Sequence, residues 1–332
     1  MRRVAVPLSL TAESTRPRDG RPASLEGPTM GVTWSLRAWV PRGLTDAVLS
    51  AAVQGACDLV VAQMSTWEPG SDLCRFNAAP AGAWVEVPPH LMSVVAAAYD
   101  LAEETGGAFD LTVGALTDLW GFGPAGPVAA APDRASRNLA ATGWRKLRLD
   151  RPDGRLFQPG GLRLDLSGIA KGFGVDLAAE ALEALGVRDY LLEIGGELRG
   201  GGVKGDGEPW WVEIESPPGG ELPQPRILIA LHGLSVATSG DWRRTWSDGS
   251  GCYSHTLDPI TRAPVAGPVA SVSVLHASCM QADALCTALT VLGPAGEAFA
   301  CEHDIAARIV SRGQAGLTEW MSPAFARLVD ET

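Results

Sequence analysis

The stretch LRLDLSGIAKGFGVDLAAEALEALG, residues 162–186, limits the possible folds more than any other part of the chain. Leu162, Leu164 and Leu166 alternate as on a strand, a Ser-Gly turn follows, and an amphipathic helical pattern takes over. A strand delivered straight into a helix start leaves free N–H groups and a positive dipole end at the turn. Glycines at 168 and 172 let backbone approach a ligand closely, and Lys171 adds a point charge suited to a phosphate or carboxylate. The pattern is neither a Walker A loop nor GxGxxG, and alone it reads more readily as an ordinary strand–helix connection with a solvated lysine.

A second segment, MQADALCTAL at 280–289, carries Asp283 and Thr287 four residues apart. On a helix that spacing puts both oxygens on one face, one turn apart. Their neighbours Met280, Ala284, Leu285, Ala288 and Leu289 are residues a core would take. A carboxylate in such company is rarely left unpaired, because burying a bare charge is costly. Either a cation sits on that face, or the helix shows a polar edge to water.

Around these two segments, VTWSLRAW (32–39), YLLEIGG, WWVEIES, RILIALH and VASVSVLH read as strands. Residues 46–64, opened by a Thr45-Asp46 cap, read as a helix. So do 93–105, stopped by Gly106-Gly107, and 280–292. Residues 124–136, rich in Pro, Ala and Gly, read as a surface loop. Long runs of strand with helices inserted, without regular βαβ alternation, predict an α+β fold. The polar, Pro/Arg-rich residues 1–26 are expected to be disordered, leaving 27–330 as one domain.

Composition narrows the function. The chain has 332 residues, 46% of them hydrophobic, ample for a packed core. A net charge of −11 argues against a general nucleic-acid binder, yet allows a local site for a phosphorylated small molecule. No apolar run approaches the ~20 residues of a transmembrane helix, and the patch after the two N-terminal arginines is too short for a signal h-region. A cytoplasmic protein is therefore expected. The six cysteines show no CxxC and no His/Cys ligand spacing, so neither a disulfide framework nor a structural zinc is expected.

In WRRTWSDGSGCYSHTLDP, His255 is the one histidine of five that clusters with Ser, Asp, Tyr and Arg. It reads as lying on a strand that runs into a Pro-capped turn. Asp258 stands close enough in sequence to orient an imidazole that takes or gives a proton near neutral pH. STWEPGSDLCRFNAA and GGAFDLTVGALTDLWGFGP mix Trp67, Phe76, Phe109, Trp120 and Phe122 with Asp, Asn and Arg, the surface a flat heterocycle wants. Together the segments predict a site for an aromatic nucleotide with Mg²⁺ on its phosphates.

With GPTMGVTWSL (27–36), MSTWEPGSDLCRFN (64–77), IGGELRGGG, ATSGDWRR, YSHTLDP and ADALCTALTVLGP in order, the sequence resembles the ApbE family of FAD:protein FMN transferases. The likeness covers nearly everything after the first twenty-odd residues. It implies an ApbE-like, T-fold-like arrangement of mixed sheets with packed helices in a single two-lobed unit. It also implies an Mg²⁺-dependent enzyme that moves the FMN moiety of FAD to a Thr or Ser hydroxyl of a target flavoprotein and releases AMP. Carried over by position, Asp283 and Thr287 would be side-chain metal ligands, joined by the carbonyl of Gly168. Met30, Trp67, Ala108, Phe109, Asp110, Asp165, Lys171 and Leu257 would contact FAD, and His255 would be the general base. Trp67 stands where many relatives have tyrosine, Cys286 where some have an aspartate near the metal, and Arg262 where glycine is usual after DPxT. Two other readings use the same residues: an Mg²⁺-dependent FAD pyrophosphatase giving FMN and AMP, and a non-catalytic FAD-binding protein. Many bacterial relatives are exported lipoproteins, and the lack of a lipobox-type cysteine here favours a cytoplasmic version.

Overall fold

A computed structural model describes residues 3–7, 10–11, 13, 15, 19–218, 222, 224–242, 244–249, 251–314 and 316–331, with backbone alone at 330–331. Eight strands form the main sheet: β1 (Arg21–Thr29), β2 (Val32–Val40), β3 (Asp189–Ile194), β4 (Glu197–Gly201), β5 (Leu234–Gly240), β6 (Val269–His276), β7 (Ala306–Gly313) and β8 (Gly316–Met321). They lie side by side in chain order, and each neighbouring pair is antiparallel. The sheet is thus an up-and-down meander whose loops have been enlarged.

Between β2 and β3 the chain builds α1 (Asp46–Met64), α2 (Asp72–Asn77), α3 (Pro89–Glu104), α4 (Gly114–Leu119), α5 (Arg134–Leu139) and α6 (Ala170–Ala184). Between β6 and β7 it builds α7 (Cys279–Leu292) and α8 (Ala295–Glu302). Helices α1, α6 and α7 cover one sheet face. There Val53, Val175 and Leu182 meet Trp34, Leu36 and Leu192, and Ala282 and Leu289 join Val272 and Val274 in the larger core. The opposite face near β5 and β6 is covered by a second sheet of Trp210–Glu213, Ile227–Leu231, Arg3–Ala5 and Val329–Glu331. Ile227, Ile229 and Leu231 pack there against Val236 and Leu275. Strand β6 is buried along seven of its eight residues because both faces are covered, which is why its sequence reads as a near-continuous apolar run.

The mixed α+β architecture agrees with the sequence reading, and its departures have physical causes. Part of the expected disordered segment, residues 1–2, 8–9, 12, 14 and 16–18, lies outside the described residues. Within it, however, Arg3–Ala5 and the start of β1 are strand. Arg3–Ala5 pairs on both sides, parallel to Ile227–Ile229 and antiparallel to Val329–Glu331, which a compositional argument cannot foresee. Leu162, Leu164 and Leu166 are buried as expected, but no ladder forms there beyond a single bridge from Arg163 to Val113. The Asn77 side chain substitutes for a strand, accepting from Leu164 N at 2.7 Å and donating to its carbonyl at 3.0 Å. The supposed loop at 124–136 turns helical at Arg134, where Asp133 accepts from Ser136 N at 2.7 Å as an N-cap. Helix α1 has 19 residues and a mean hydropathy of 1.5 over its most apolar window, nearer a membrane span than expected. Its Leu49, Val53, Cys57, Val60 and Met64 are buried in the protein core.

A buried ionic knot fastens the second sheet to the first. Glu319 on β8 accepts from Arg308 Nε at 2.6 Å and from Arg3 Nη2 at 3.1 Å, with Arg3 Nη1 on its other oxygen. All three side chains are nearly inaccessible. Removing the carboxylate strands two guanidiniums in low dielectric, so Glu319→Gln is expected to cost about 3–5 kcal/mol. Urea denaturation followed by circular dichroism checks it, and a change below about 1 kcal/mol would show that the knot is solvated.

Candidate active site

The N-terminal end of α6 lies against the middle of α7, and glycine makes the contact possible. A methyl placed on Gly172 would sit 2.3 Å from the Cys279 carbonyl oxygen and 2.8 Å from Asp283 Cβ. One on Gly168 would sit 2.9 Å from Thr287 Oγ1. The Asp-Thr face of α7 is therefore not a polar edge turned to water. Asp283 is 4% exposed, and its Oδ2 accepts from Gly172 N at 3.0 Å. Lys171 reaches the same place, its Nζ 2.5 Å from Oε1 of buried Glu197. The structure thus unites Gly168 and Lys171 with Asp283 and Thr287, two pairs that the sequence holds more than a hundred positions apart.

Charge balance here is tight. Burial pushes the Asp283 carboxyl above the usual carboxylate range, while the Lys171 ammonium and the Gly172 amide pull it back. Burial also works against charge on Lys171, but the Asp283 and Glu197 carboxylates overcome it and hold the ammonium above the ordinary lysine range. The donors to hand, carboxylate, hydroxyl and backbone carbonyl, are hard oxygens of the kind Mg²⁺ takes. Among the described residues no three of His, Cys, Asp and Glu converge, so nothing there builds a softer metal cage. Cys286 gives its thiol to the Ala237 carbonyl at 3.2 Å, and burial keeps it protonated. An oxygen-coordinated cation therefore fits the residues present.

The expected FAD contacts surround this centre in different ways. Asp165 shapes the turn before α6: Oδ1 accepts from Ser167 N at 2.9 Å and Ser167 Oγ at 2.6 Å, and Oδ2 from Thr117 Oγ1 at 2.8 Å. It lines a small polar recess with Thr66, Asn77, Thr117 and Asp118. Trp67, next in sequence to Thr66, is 56% exposed, its backbone N–H held by Ser65 Oγ at 3.1 Å, which leaves the indole free to stack. Met30 occupies the two-residue turn between β1 and β2 with φ of 47°. That left-handed conformation is unfavourable for a side chain without a functional or packing reason. One packing reason is visible, since its Cε lies 3.2 Å from where a methyl on Gly174 would be. Ala108, Phe109 and Asp110 are buried. Asp110 binds Thr112 N (2.8 Å), Thr112 Oγ1 (2.6 Å) and Trp144 N (3.2 Å), so this corner offers backbone more than side chains.

His255 and Leu257 belong to a satellite lobe. Leu257 packs with Leu116, Trp120 and Phe122. The His255 ring meets Phe122 edge-on with centroids 6.5 Å apart, and its backbone N–H donates to the Arg244 carbonyl at 3.0 Å. Burial, then the charge of Arg244, lowers its pKa to about 4; Lys171 adds to the depression and Asp165 opposes it. The charges at the start of α6 thus act on the ring from outside the satellite lobe. The expected orienting role of Asp258 is not observed. Its Oδ1 accepts from Ile260 N at 2.8 Å and Thr261 N at 3.3 Å, closing its own turn, and buried His255 Nδ1 has no partner among the described residues. Arg262 keeps the conformation a glycine would adopt, with φ of 58°, and its Nη1 holds the Arg137, Asn138 and Ala140 carbonyls at 2.9–3.2 Å. The turn that differs in sequence thus anchors the end of α5.

Two participants escaped the sequence reading. Glu197, in the turn-flanking GGE, is the ion partner of Lys171. Asp176, on the inward face of α6, is buried and binds the start of α7. An acidic residue at an inward helical position was the available signal in the second case.

Comparison with known proteins follows the same lines. The ApbE family model matches residues 30–309. The FAD:protein FMN transferase of Vibrio cholerae serotype O1 is 37% identical over 307 residues, 91% of either chain. That of Haemophilus influenzae is 34% identical over 337 residues, 98% of this chain and 96% of its own. The crystal structure of Pseudomonas stutzeri flavinyl transferase ApbE in its apo form aligns with a TM-score of 0.86 at 39% identity, covering 93% of this chain and 97% of that one. The flavin transferase ApbE from Vibrio cholerae gives 0.85 at 35% identity, covering 93% and 100%.

Two expectations can be checked directly. Gly172→Ala forces α6 off α7 and is expected to destabilise by about 1–3 kcal/mol in urea melts; an unchanged midpoint would mean the helices do not touch as described. For His255, the folded pKa of about 4 lies below the ordinary 6.5, so the unfolded chain takes up the proton first. Its contribution to stability is full above about pH 6.5 and is lost as the pH falls towards about 4. Denaturation midpoints recorded across that window are expected to fall more gently in His255→Asn than in wild type, and parallel curves would refute the assignment.

Proposed function

This chain belongs to the ApbE family and is a flavin transferase of the FAD:protein FMN type; we propose that it transfers FMN to a serine or threonine of a flavoprotein, with Mg²⁺, releasing AMP. The observation that carries this reading is the α6–α7 face, where Thr287 meets Gly168 and Asp283 meets Gly172, beside Lys171 and within electrostatic reach of His255. Phosphoryl transfer demands positioning and charge neutralisation more than covalent help from the protein.

In this reading the acceptor hydroxyl oxygen attacks the phosphorus of the FMN half of FAD. A new P–O bond forms, the pyrophosphate P–O bond on the other side breaks, and AMP leaves with the bridging oxygen. The hydroxyl proton passes to His255, whose low pKa keeps the ring neutral and ready to accept at neutral pH. Lys171 and the positive dipole end of α6 attract the phosphates, and Trp67 stacks on the flavin or adenine ring. Asp283, Thr287 and the Gly168 carbonyl would hold Mg²⁺, which neutralises phosphate charge and polarises the P–O bonds when bound.

The test is mass spectrometry of a flavoprotein domain bearing a candidate acceptor threonine, after incubation with this protein, FAD and Mg²⁺. The expected result is a gain of one FMN on that threonine with one AMP released per transfer. Asp283→Ala is expected to reduce the rate by at least about 10²-fold, on the scale of losing a main electrostatic element. AMP and free FMN without labelled acceptor would instead identify an FAD pyrophosphatase.

A further inference from the structure

One buried carboxylate has no part in the reaction just described. Asp176 sits on α6 and is 8% exposed. Its Oδ1 accepts from Arg199 Nη1 at 2.8 Å and from Cys279 N at 3.0 Å. Its Oδ2 accepts from Ser278 Oγ at 2.7 Å and from Met280 N at 3.0 Å. Three of these four donors belong to the first turn of α7. That helix already has a cap of its own, since Ser278 Oγ accepts from Gln281 N at 3.3 Å. What Asp176 adds is a tie from one helix to another, anchored on the far side by Arg199 of β4.

The tie fixes a register. Gly168 lies opposite Thr287, Gly172 opposite Asp283 and Cys279, and Asp176 opposite residues 278–280, so α6 and α7 run antiparallel with matched positions. The glycines set how closely the helices approach, but a smooth glycine surface does not stop one helix sliding along the other. Asp176 does, because its four bonds are directional. Mg²⁺ demands near-ideal geometry at about 2.0–2.1 Å, whereas sliding by one residue moves a helix about 1.5 Å.

We propose that Asp176 is a positioning residue for the cation face: by holding the first turn of α7 it keeps Asp283 and Thr287 opposite Gly168 and Lys171. This rests on the reading of Asp283, Thr287 and Gly168 as cation ligands. Asparagine at 176 would keep the size but present an NH₂ to backbone N–H donors and leave Arg199 only Glu183, at 3.6 Å, as a charged partner.

The experiment is an electron paramagnetic resonance titration of the full chain with Mn²⁺ in the presence of FAD, using wild type, Asp176→Asn and Glu319→Gln. The Glu319 variant controls for general loss of stability, because it lies in the ionic knot on the second sheet. Asp176→Asn is expected to bind Mn²⁺ at least about ten-fold more weakly, as for other groups that orient metal ligands. The Glu319 variant is expected to bind as wild type does, even at equal loss of thermal stability. Hydrogen exchange at the Gly172 amide is expected to quicken in Asp176→Asn alone. Should that variant not fold, Ser278→Ala removes one of the three α7 bonds and is expected to shift affinity in the same direction by a smaller factor. Wild-type Mn²⁺ affinity in a folded Asp176→Asn, or in Ser278→Ala where that stands in, would overturn the proposal. Failure of wild type itself to bind Mn²⁺ would overturn the ligand assignment and this proposal with it, a result distinguishable from the first.

Discussion

The approach of α6 to α7 depends on what is missing from two Cα atoms. At Gly168 and Gly172 no side chain stands between the helices, so a backbone amide reaches the Asp283 carboxylate and the turn before α6 reaches Thr287. The main sheet provides the floor on which both helices lie, and the second sheet closes its other face. Any larger residue at either glycine would separate the oxygen donors from the lysine. On the proposed function, close packing here is a condition of the chemistry and not only of stability.

Electrostatics explain why the site is composed as it is. Two buried carboxylates, Asp283 and Glu197, face one ammonium, and FAD would bring a pyrophosphate carrying further negative charge. Such a place needs cations, and the start of α6 contributes its dipole in the same sense. A charged imidazole would face both Arg244 and Lys171, which is part of why His255 is held neutral.

Much of this was legible in the sequence, and the failures are local. The i, i+4 pair on a helix of core residues placed Asp283 and Thr287 correctly on one face, since helical period is a strong signal. The helix at 46–64 was recovered for the same reason, and the strand VASVSVLH from its β-branched apolar run. The segment 162–166 misled because its alternating burial is that of a strand, while its partner is an asparagine side chain. Asp258 was paired with His255 on sequence proximity, whereas an aspartate before Pro-Ile-Thr closes its own turn. Asp176 and Glu197 were passed over because their partners lie on other elements, and single-residue periodicity carries no information about which elements meet.

The placement of the inserts in the meander has a kinetic consequence. The hairpins β1–β2 and β3–β4 turn through two residues each and can form locally. Pairing β2 with β3, by contrast, closes a loop of residues 41–188, the loop that contains α6. Helix α7 enters from the other half of the sheet, between β6 and β7. The two halves of the candidate site therefore meet only after a long loop has closed. A nascent or partly folded chain can hold native hairpins and a native α7, yet has no means of assembling the oxygen donors around a pyrophosphate. The candidate site thus forms as a whole with that closure and not piecemeal with the hairpins.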